Sequence, residues 1–462
     1  MPYSISRYQS ALVSAVLLVF SAQAQAEVPH TFTPGDPAVA AHVNENFSDL
    51  DGRIVDLGQL VADQSNGIGV EIALDCDSDA DAFRNAEINS HTTYILTGMC
   101  NGPIWIYDRS NVTIKGDDSG VSDKNDGVFL PANLDGLRDP EGELIESPYG
   151  AVGVWRSRNV RLENLKIDAS NYVSRDYMIN GFSARNIAAL TSGQQAYVRA
   201  ENVDFLGGDF ALDIYSQSQL DIREGVTVTG FNRAGLSAFS SGVIIVHEDI
   251  TVSGLVDTST ESYAQAIHAS ANGVVQIRNG GSFTGATTTE TTDSNGFTIY
   301  PTSVWISDNA TLNVSDSSNT AMFNGAFEAG YSAMIRVNGN TVIDGVLAAY
   351  HSSVIWMRDV TQSGGEIWAG DGGYMRVESS TLTPGDTDGY DINFELYRSG
   401  RARVNNSTIN LNGTNMGVWG YSVINLRGST SLGTDSIDCS DGRGLSIQGS
   451  VTLDRDSISC WQ

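Results

Sequence analysis

Lysine is nearly missing from this chain: Lys115, Lys124 and Lys166 are the only three in 462 residues. Bases of both kinds number 26 against 55 acids, and the formal charge is −29. A surface this acidic repels nucleic acid and anionic bilayers, so neither is expected as a partner. It suits a saline medium, where the self-repulsion is screened. Long apolar runs are missing as well. Residues 11–20 (ALVSAVLLVF) are too few to cross a bilayer, so no membrane insertion is expected. Cysteine is limited to Cys76, Cys100, Cys439 and Cys460, with no CxxC and no histidine at ligand spacing beside either pair. That argues against a zinc site.

What is present begins with an export signal over residues 1–26. Arg7 supplies its positive start, residues 11–20 its apolar run, and Ala24-Gln25-Ala26 a small-x-small cleavage site before Glu27. The residue directly after that site is Glu27 and not a cysteine, which argues against a lipid anchor. The expected location is secreted or periplasmic. In an oxidising compartment the two local cysteine pairs predict disulfides Cys76–Cys100 and Cys439–Cys460. Each closes a short loop, worth about 3 kcal/mol in the chain-entropy account.

One phrase then recurs: an apolar pair flanking one residue, a polar turn, another apolar pair. It reads SVWISDNATL at 303–312, AMIRVNGNTVI at 333–343, VIWMRDVTQ at 354–362, YMRVESSTL at 374–382, RARVNNSTI at 401–409 and VINLRGSTSL at 423–432. A period of roughly 20–30 residues built from short strands marks a solenoid, whose coils bury their inner faces only by stacking. The second anchors are taken as Ile306, Val337, Met357, Val377, Val404, Leu426 and Ile447, with Leu162, Val198, Ile222, Val246 and Ile277 upstream. The predicted fold is all-β: a parallel β-helix of about 12–13 coils over residues 74–462, after an N-terminal segment over residues 27–73.

That segment carries a heptad seam. Val43, Phe47, Leu50, Ile54, Leu57 and Val61 predict a helix over 38–62. Its stripe either forms a short coiled coil, a homotrimer being one solution, or packs back on the solenoid. The stretch TFTPGDPAVAAHVNENFSDLDGRI resembles a short N-terminal motif of bacterial secreted and tail-fibre-like proteins. Asp79 or Asp81 can cap a short helix running to residue 89, with Ala82, Phe83, Ala86 and Ile88 toward the core. Longer stretches at 117–150, 168–195, 255–271, 284–301 and 384–399 exceed a minimal turn and are expected to project.

The opening coil, TTYILTGMCNGPIWI followed by NVTIKGDD, resembles that of the right-handed parallel β-helix superfamily, to which pectate lyases and related polysaccharide-active proteins belong. The resemblance covers residues 92–460 at the level of fold. It implies a polysaccharide-facing solenoid and no particular enzyme.

Residues between inward anchors point outward and align in columns. The first expected column is Arg161, Tyr197, Asp221, Ile245, Gln276, Trp305, Arg336, Trp356, Arg376, Arg403, Asn425 and Ser446. The second is Arg199, Arg223, His247, Arg278, Ser307, Asn338, Arg358, Glu378, Asn405 and Arg427. Together they hold nine of the 26 bases. Trp faces stack on sugar rings and Arg forks pair with carboxylate or sulfate. Trp305, Arg336, Trp356, Arg358, Arg376 and Arg403 are thus the candidate substrate-binding residues for an acidic polysaccharide. The alternative is a solvated face whose Arg side chains pair with Asp and Glu. Trp105, Trp155, Trp368 and Trp419 read as packing residues.

A uronate lyase needs a carboxylate neutraliser, a base and an acid. Arg336, Arg358 and Arg376 can neutralise, His351 or an arginine can be the base, and Tyr350 or Tyr374 the acid, with His351, Tyr350, Arg336 and Arg376 the candidate catalytic residues. Asp204, Asp209 and Asp213 in VDFLGGDFALDI lack the companions of galacturonan hydrolases. VDFLGG resembles the nucleophile segment of pectin methylesterases, but their other segments are absent. No cofactor is called for. Calcium stays open without support: Asp75, Asp77, Asp79 and Asp81 resemble a ligand run, yet Ala80 and Ala86 stand where an EF-hand needs Gly and Glu. Asp117, Asp118, Asp123 and Asp126 are a second such run. Two readings follow. One is a secreted β-helix that binds an acidic polysaccharide, with lyase or hydrolase chemistry open. The other is a non-enzymatic surface or fibre-like adhesin.

Overall fold

The computed structural model describes residues 69–117, 124–131, 150–172, 187–254, 264–285, 302–315, 319–385, 392–411, 414–433, 437–439 and 444–450, with the backbone alone at 291–292 and 298–299. The export signal, the 38–62 helix and its trimer, Cys460, Asp118 and Asp123 lie outside the described residues.

The chain winds into a parallel β-helix. The first strand, Val70–Asp75, begins four residues ahead of the expected boundary at 74 and pairs in parallel with Thr92–Thr97. Among the described residues the coils build two sheets, a broad one of 24 strands and a narrow one of 13. In the longer strands of the broad sheet, one residue breaks the inward-outward alternation. In Tyr197–Gly207 it is Asn202, at φ 52°. Ala200 and Val203, three apart, therefore both face the core, where strict alternation would put them on opposite faces. Asn164 does the same in Arg158–Ala169, and the Asn202 side-chain amide donates to Asn164 Oδ1 at 2.7 Å. Asparagine tolerates this left-handed backbone better than other non-glycine residues. Its amide also bridges one coil to the next.

A single apolar cluster runs from Cys76 to Ile437 inside the tube. Phe283 stacks on Phe323 at 4.9 Å, and Phe323 meets Phe327 edge-on at 5.1 Å. The first coil is closed by consecutive turns over residues 80–85, where a short helix was expected. Phe83 still fills the end of the core, 5.3 Å from the ring of Tyr94, whose hydroxyl donates to Glu87 O. Ala82, Ala86 and Ile88 pack there too. Asp79 and Asp81 are spent on the turns: Asp79 Oδ1 accepts from the Asp81 amide, and Asp81 Oδ1 takes Arg84 at 2.6 Å and the Asn101 amide at 2.8 Å. The Cys76–Cys100 disulfide ties these turns to the coil above. Cys439 is disulfide-bonded as well.

On the narrow sheet's outer side, aromatic rings lie over glycines of the preceding coil. A Cβ on Gly330 would meet Tyr350 Cε2 at 2.8 Å, and one on Gly370 would meet Tyr397 Cζ at 2.1 Å. Gly370→Ala is therefore expected to lift Tyr397 off the wall and cost about 1–3 kcal/mol. A lowered urea midpoint checks this, and an unchanged midpoint would show the ring free to move.

Candidate functional site

The outer face of the broad sheet carries most of the expected columns. Strand register sets the first as Thr113, Arg161, Arg199, Asp221, Ile245, Gln276, Asn313, Arg336, Trp356, Arg376, Arg403, Asn425 and Ser446. Two expected members are displaced. Tyr197 gives way to Arg199, because Ala200 and not Val198 is the partner of Leu162. Trp305 gives way to Asn313, because the broad-sheet strand of that coil is Thr311–Val314. Trp305 belongs to the narrow sheet, between His268 and Glu328. Its strand shows the same apolar-x-apolar spacing, and period 2 does not say which wall a strand joins. All nine bases stay on the broad sheet's outer face. Arg358, Glu378, Asn405 and Arg427 align in the second column beside the first.

Toward the C-terminal end, Trp356 lies between two guanidinium groups. Arg336 Cζ is 4.2 Å and Arg376 Cζ 4.6 Å from the indole. Both are cation–π contacts of the kind worth about 0.5–1 kcal/mol at exposed sites. Arg376 is further held by Glu378, Nε to Oε1 at 2.8 Å. The indole faces expected to stack on sugar are thus occupied. Trp356 acts as a spacer that fixes where two positive charges stand. Arg336 and Arg358 are exposed, while Arg376 and Arg403 are half-buried.

Toward the N-terminal end, the buried carboxylate of Asp221 gathers a polar network. Tyr197 donates its hydroxyl to Oδ2 at 3.0 Å and Gln219 Nε2 donates to Oδ1 at 2.7 Å. His247 Nε2 lies 3.3 Å and Arg223 3.7 Å from Oδ2. Arg278 Nη1 faces His247 Nδ1 at 3.5 Å. Burial, aided by Arg223, lowers the His247 pKa. Burial and the Asp221 charge raise that of Tyr197. Each proton-carrying group here is already engaged.

The four expected catalytic residues are not brought together. Arg336 and Arg376 stand on the broad sheet. Tyr350 follows the narrow-sheet strand Leu347–Ala349 and donates its hydroxyl to Glu328 Oε2 at 3.3 Å. His351 sits in the turn between the sheets at φ 50°, stacked on Tyr331 at 4.6 Å. His351 on a corner and Tyr350 on another wall cannot share one sugar ring with those arginines, whereas Tyr374, the alternative acid, stands on the broad-sheet strand Tyr374–Glu378 that carries Arg376.

The narrow sheet instead shows a run that the sequence reading passed over. Its outer column reads Thr191, Asp213, Ser237, His268, Trp305, Glu328. The chemistry was visible in SAF, IHA, VWI and FEA only once the strands were assigned to this wall. Burial raises Glu328 to about 7, although Tyr350 and Thr302 hydrogen-bond it, and raises the Tyr350 phenol as well. Among the described residues no cluster of three or more His, Cys, Asp and Glu converges to hold a metal. Asp126 accepts from the Gly98 and Asp117 amides, and Asp75 from Ser78. Among the described residues no helix is long and apolar enough to cross a membrane. No family model, curated protein or solved structure matches the chain.

Glu328 has a consequence for stability. Its folded pKa of about 7 lies above the ordinary 4.5, so the folded state holds a proton that the unfolded state has lost. Its contribution is complete below pH 4.5 and declines as the pH rises toward 7. Glu328→Gln is expected to flatten that decline. Urea midpoints at a series of pH values check it, and parallel wild-type and variant curves would refute it.

Proposed function

We propose that this is an exported β-helix protein that binds an acidic polysaccharide along the outer face of the broad sheet. The observation that carries the reading is the cationic column on an acidic chain. Arg336, Arg376 and Arg403 stand in consecutive or near-consecutive rungs, with Arg358 and Arg427 in the column beside them. The formal charge of the whole is −29. Rungs about 4.8 Å apart repeat on the scale of a sugar residue, so successive guanidinium groups can each meet a carboxylate or sulfate of an extended chain. The export signal, the disulfides and the pectate-lyase-like opening coil support the same setting.

The second reading, a non-enzymatic adhesin, is favoured by the Asp221 network. Its Tyr197 and His247 are bound to Asp221, and Arg278 faces His247, so the proton-carrying groups of this network are engaged with the protein itself.

In affinity gels containing alginate or pectate, the wild type is expected to be retarded, less so as salt rises. A variant with Arg336, Arg376 and Arg403 all changed to Ala should lose the retardation. Mobility unchanged by the triple substitution would remove the proposal. Trp356→Ala, which frees both flanking guanidinium groups, is expected to weaken retention several-fold, and Trp356→Phe to restore most of it. Equal loss in the Ala and Phe variants would return the indole to direct ligand contact. Absorbance of unsaturated uronates on incubation with either polymer is expected to stay flat. Its rise would favour a lyase.

A further inference from the structure

The narrow sheet's outer face has a different character from the broad sheet's. Asp213, Ser237 and His268 occupy three successive rungs of one column, because their strands pair in parallel with Leu212, Leu236 and Ile267 aligned in the core. Their α-carbons are thus about 5 Å apart from rung to rung. Ser237 is 4% exposed and donates its hydroxyl to Asp213 Oδ1 at 3.2 Å. On its other side stands His268, whose Nδ1 is buried without a hydrogen-bond partner. Arg233, at the start of the same turn of chain as Ser237, has its guanidinium 5.0 Å from the Phe210 ring and within electrostatic range of both Asp213 and His268. Thr191 closes the column below Asp213.

We propose that Asp213, Ser237, His268 and Arg233 form a hydrolytic site for a small acyl ester, with Ser237 as the nucleophile. The reading goes beyond polysaccharide binding on the broad sheet and does not rest on it. Its first support is the pairing of a hydroxyl with a carboxylate that can take its proton. A serine is a weak nucleophile until an adjacent base accepts that proton. Burial places Asp213 at about 6, so near neutral pH it is ionised, with a basicity close to that of an imidazole. The second support is His268. Burial and Arg233 lower it to about 4, so the ring stays neutral and keeps one N–H to donate.

The steps balance without a further reagent except water. Ser237 Oγ bonds to the acyl carbon while its proton passes to Asp213. The negative charge on the former carbonyl oxygen is met by donors from His268 and Arg233. The bond from carbon to the alcohol oxygen breaks, and that oxygen leaves with the proton from Asp213. Water then attacks the acyl-serine, yielding its proton to Asp213. The serine ester breaks, the proton returns to Oγ, and a carboxylic acid is released. The low exposure of Ser237 restricts the acyl group to a short one such as acetyl. The cation of Arg233 favours an alcohol that carries a negative charge, as an acidic sugar does.

The full chain treated with an alkyl fluorophosphonate is expected to gain one adduct, mapped to Ser237 by peptide mass. The labelling rate should rise through an inflection near pH 6, the Asp213 ionisation. Ser237→Ala, a small change in a packed wall, should abolish the adduct and the turnover of p-nitrophenyl acetate. Asp213→Asn should slow both about a hundredfold or more and erase the inflection. An unlabelled wild type, an adduct on another serine, or equal ester turnover by wild type and Ser237→Ala would each overturn the proposal. Should Asp213→Asn fail to fold, the Ser237→Ala comparison and the wild-type pH profile still decide it.

Discussion

Parallel register is the constraint on which this protein depends. Each strand pairs with its counterpart one coil away, residue for residue, so a side chain's neighbours are fixed by the ladder and not by its own chemistry. Inside, this stacks Ile, Val, Leu and Phe into one continuous core. Outside, it sets like positions at about 4.8 Å spacing, and whatever those positions carry is repeated along the axis. Nine bases spread over an acidic sequence become a cationic track only because of that register. The same rule lines up Asp213, Ser237 and His268 from strands more than twenty residues apart in sequence.

The two outer walls use polar groups in contrasting ways. On the broad sheet, Asp221 collects Tyr197, Gln219 and His247, and Arg376 is braced by Glu378 and Trp356. Charges braced in this manner are held in a fixed pattern by their own neighbours. On the narrow sheet, desolvation shifts the proton affinities of half-buried groups: Asp213 and Glu328 upward, His268 downward. Groups with perturbed proton affinities cluster where chemistry is done. The two walls thus differ in kind: one carries braced charges, the other half-buried groups with shifted proton affinities.

Much of this was legible in the sequence. The fold class and ten of the twelve members of the first outward column follow from apolar pairs at a steady period. The failures are specific. Val198 outranked Ala200 as an anchor because a larger apolar residue draws the eye, although the core holds alanine equally well. SVWIS passed for a broad-sheet phrase because both walls alternate with the same period. Tyr350, His351 and Trp356 are close in sequence, yet a turn places them on one wall, a corner and another wall. Residues 80–85 close the first coil as turns because the Asp75 and Asp79 side chains accept from nearby backbone amides and the Ser78 hydroxyl, which competes with helix. The narrow-sheet column was invisible for a different reason. Its six members are single residues in six different strands, and only the pairing reveals that they share a line.

The tyrosines of the narrow sheet bear on how such a chain can change length. Tyr350 rests on Gly330 and Tyr397 on Gly370, so bulky and bare coils alternate over this stretch. Excising the coil that ends in Gly370 would bring the ring of Tyr397 down onto Tyr350. Removing two together would seat Tyr397 on Gly330. Insertions and deletions during the history of this protein would then be tolerated here as even numbers of turns, and homologues of differing length should differ in this region by doublets.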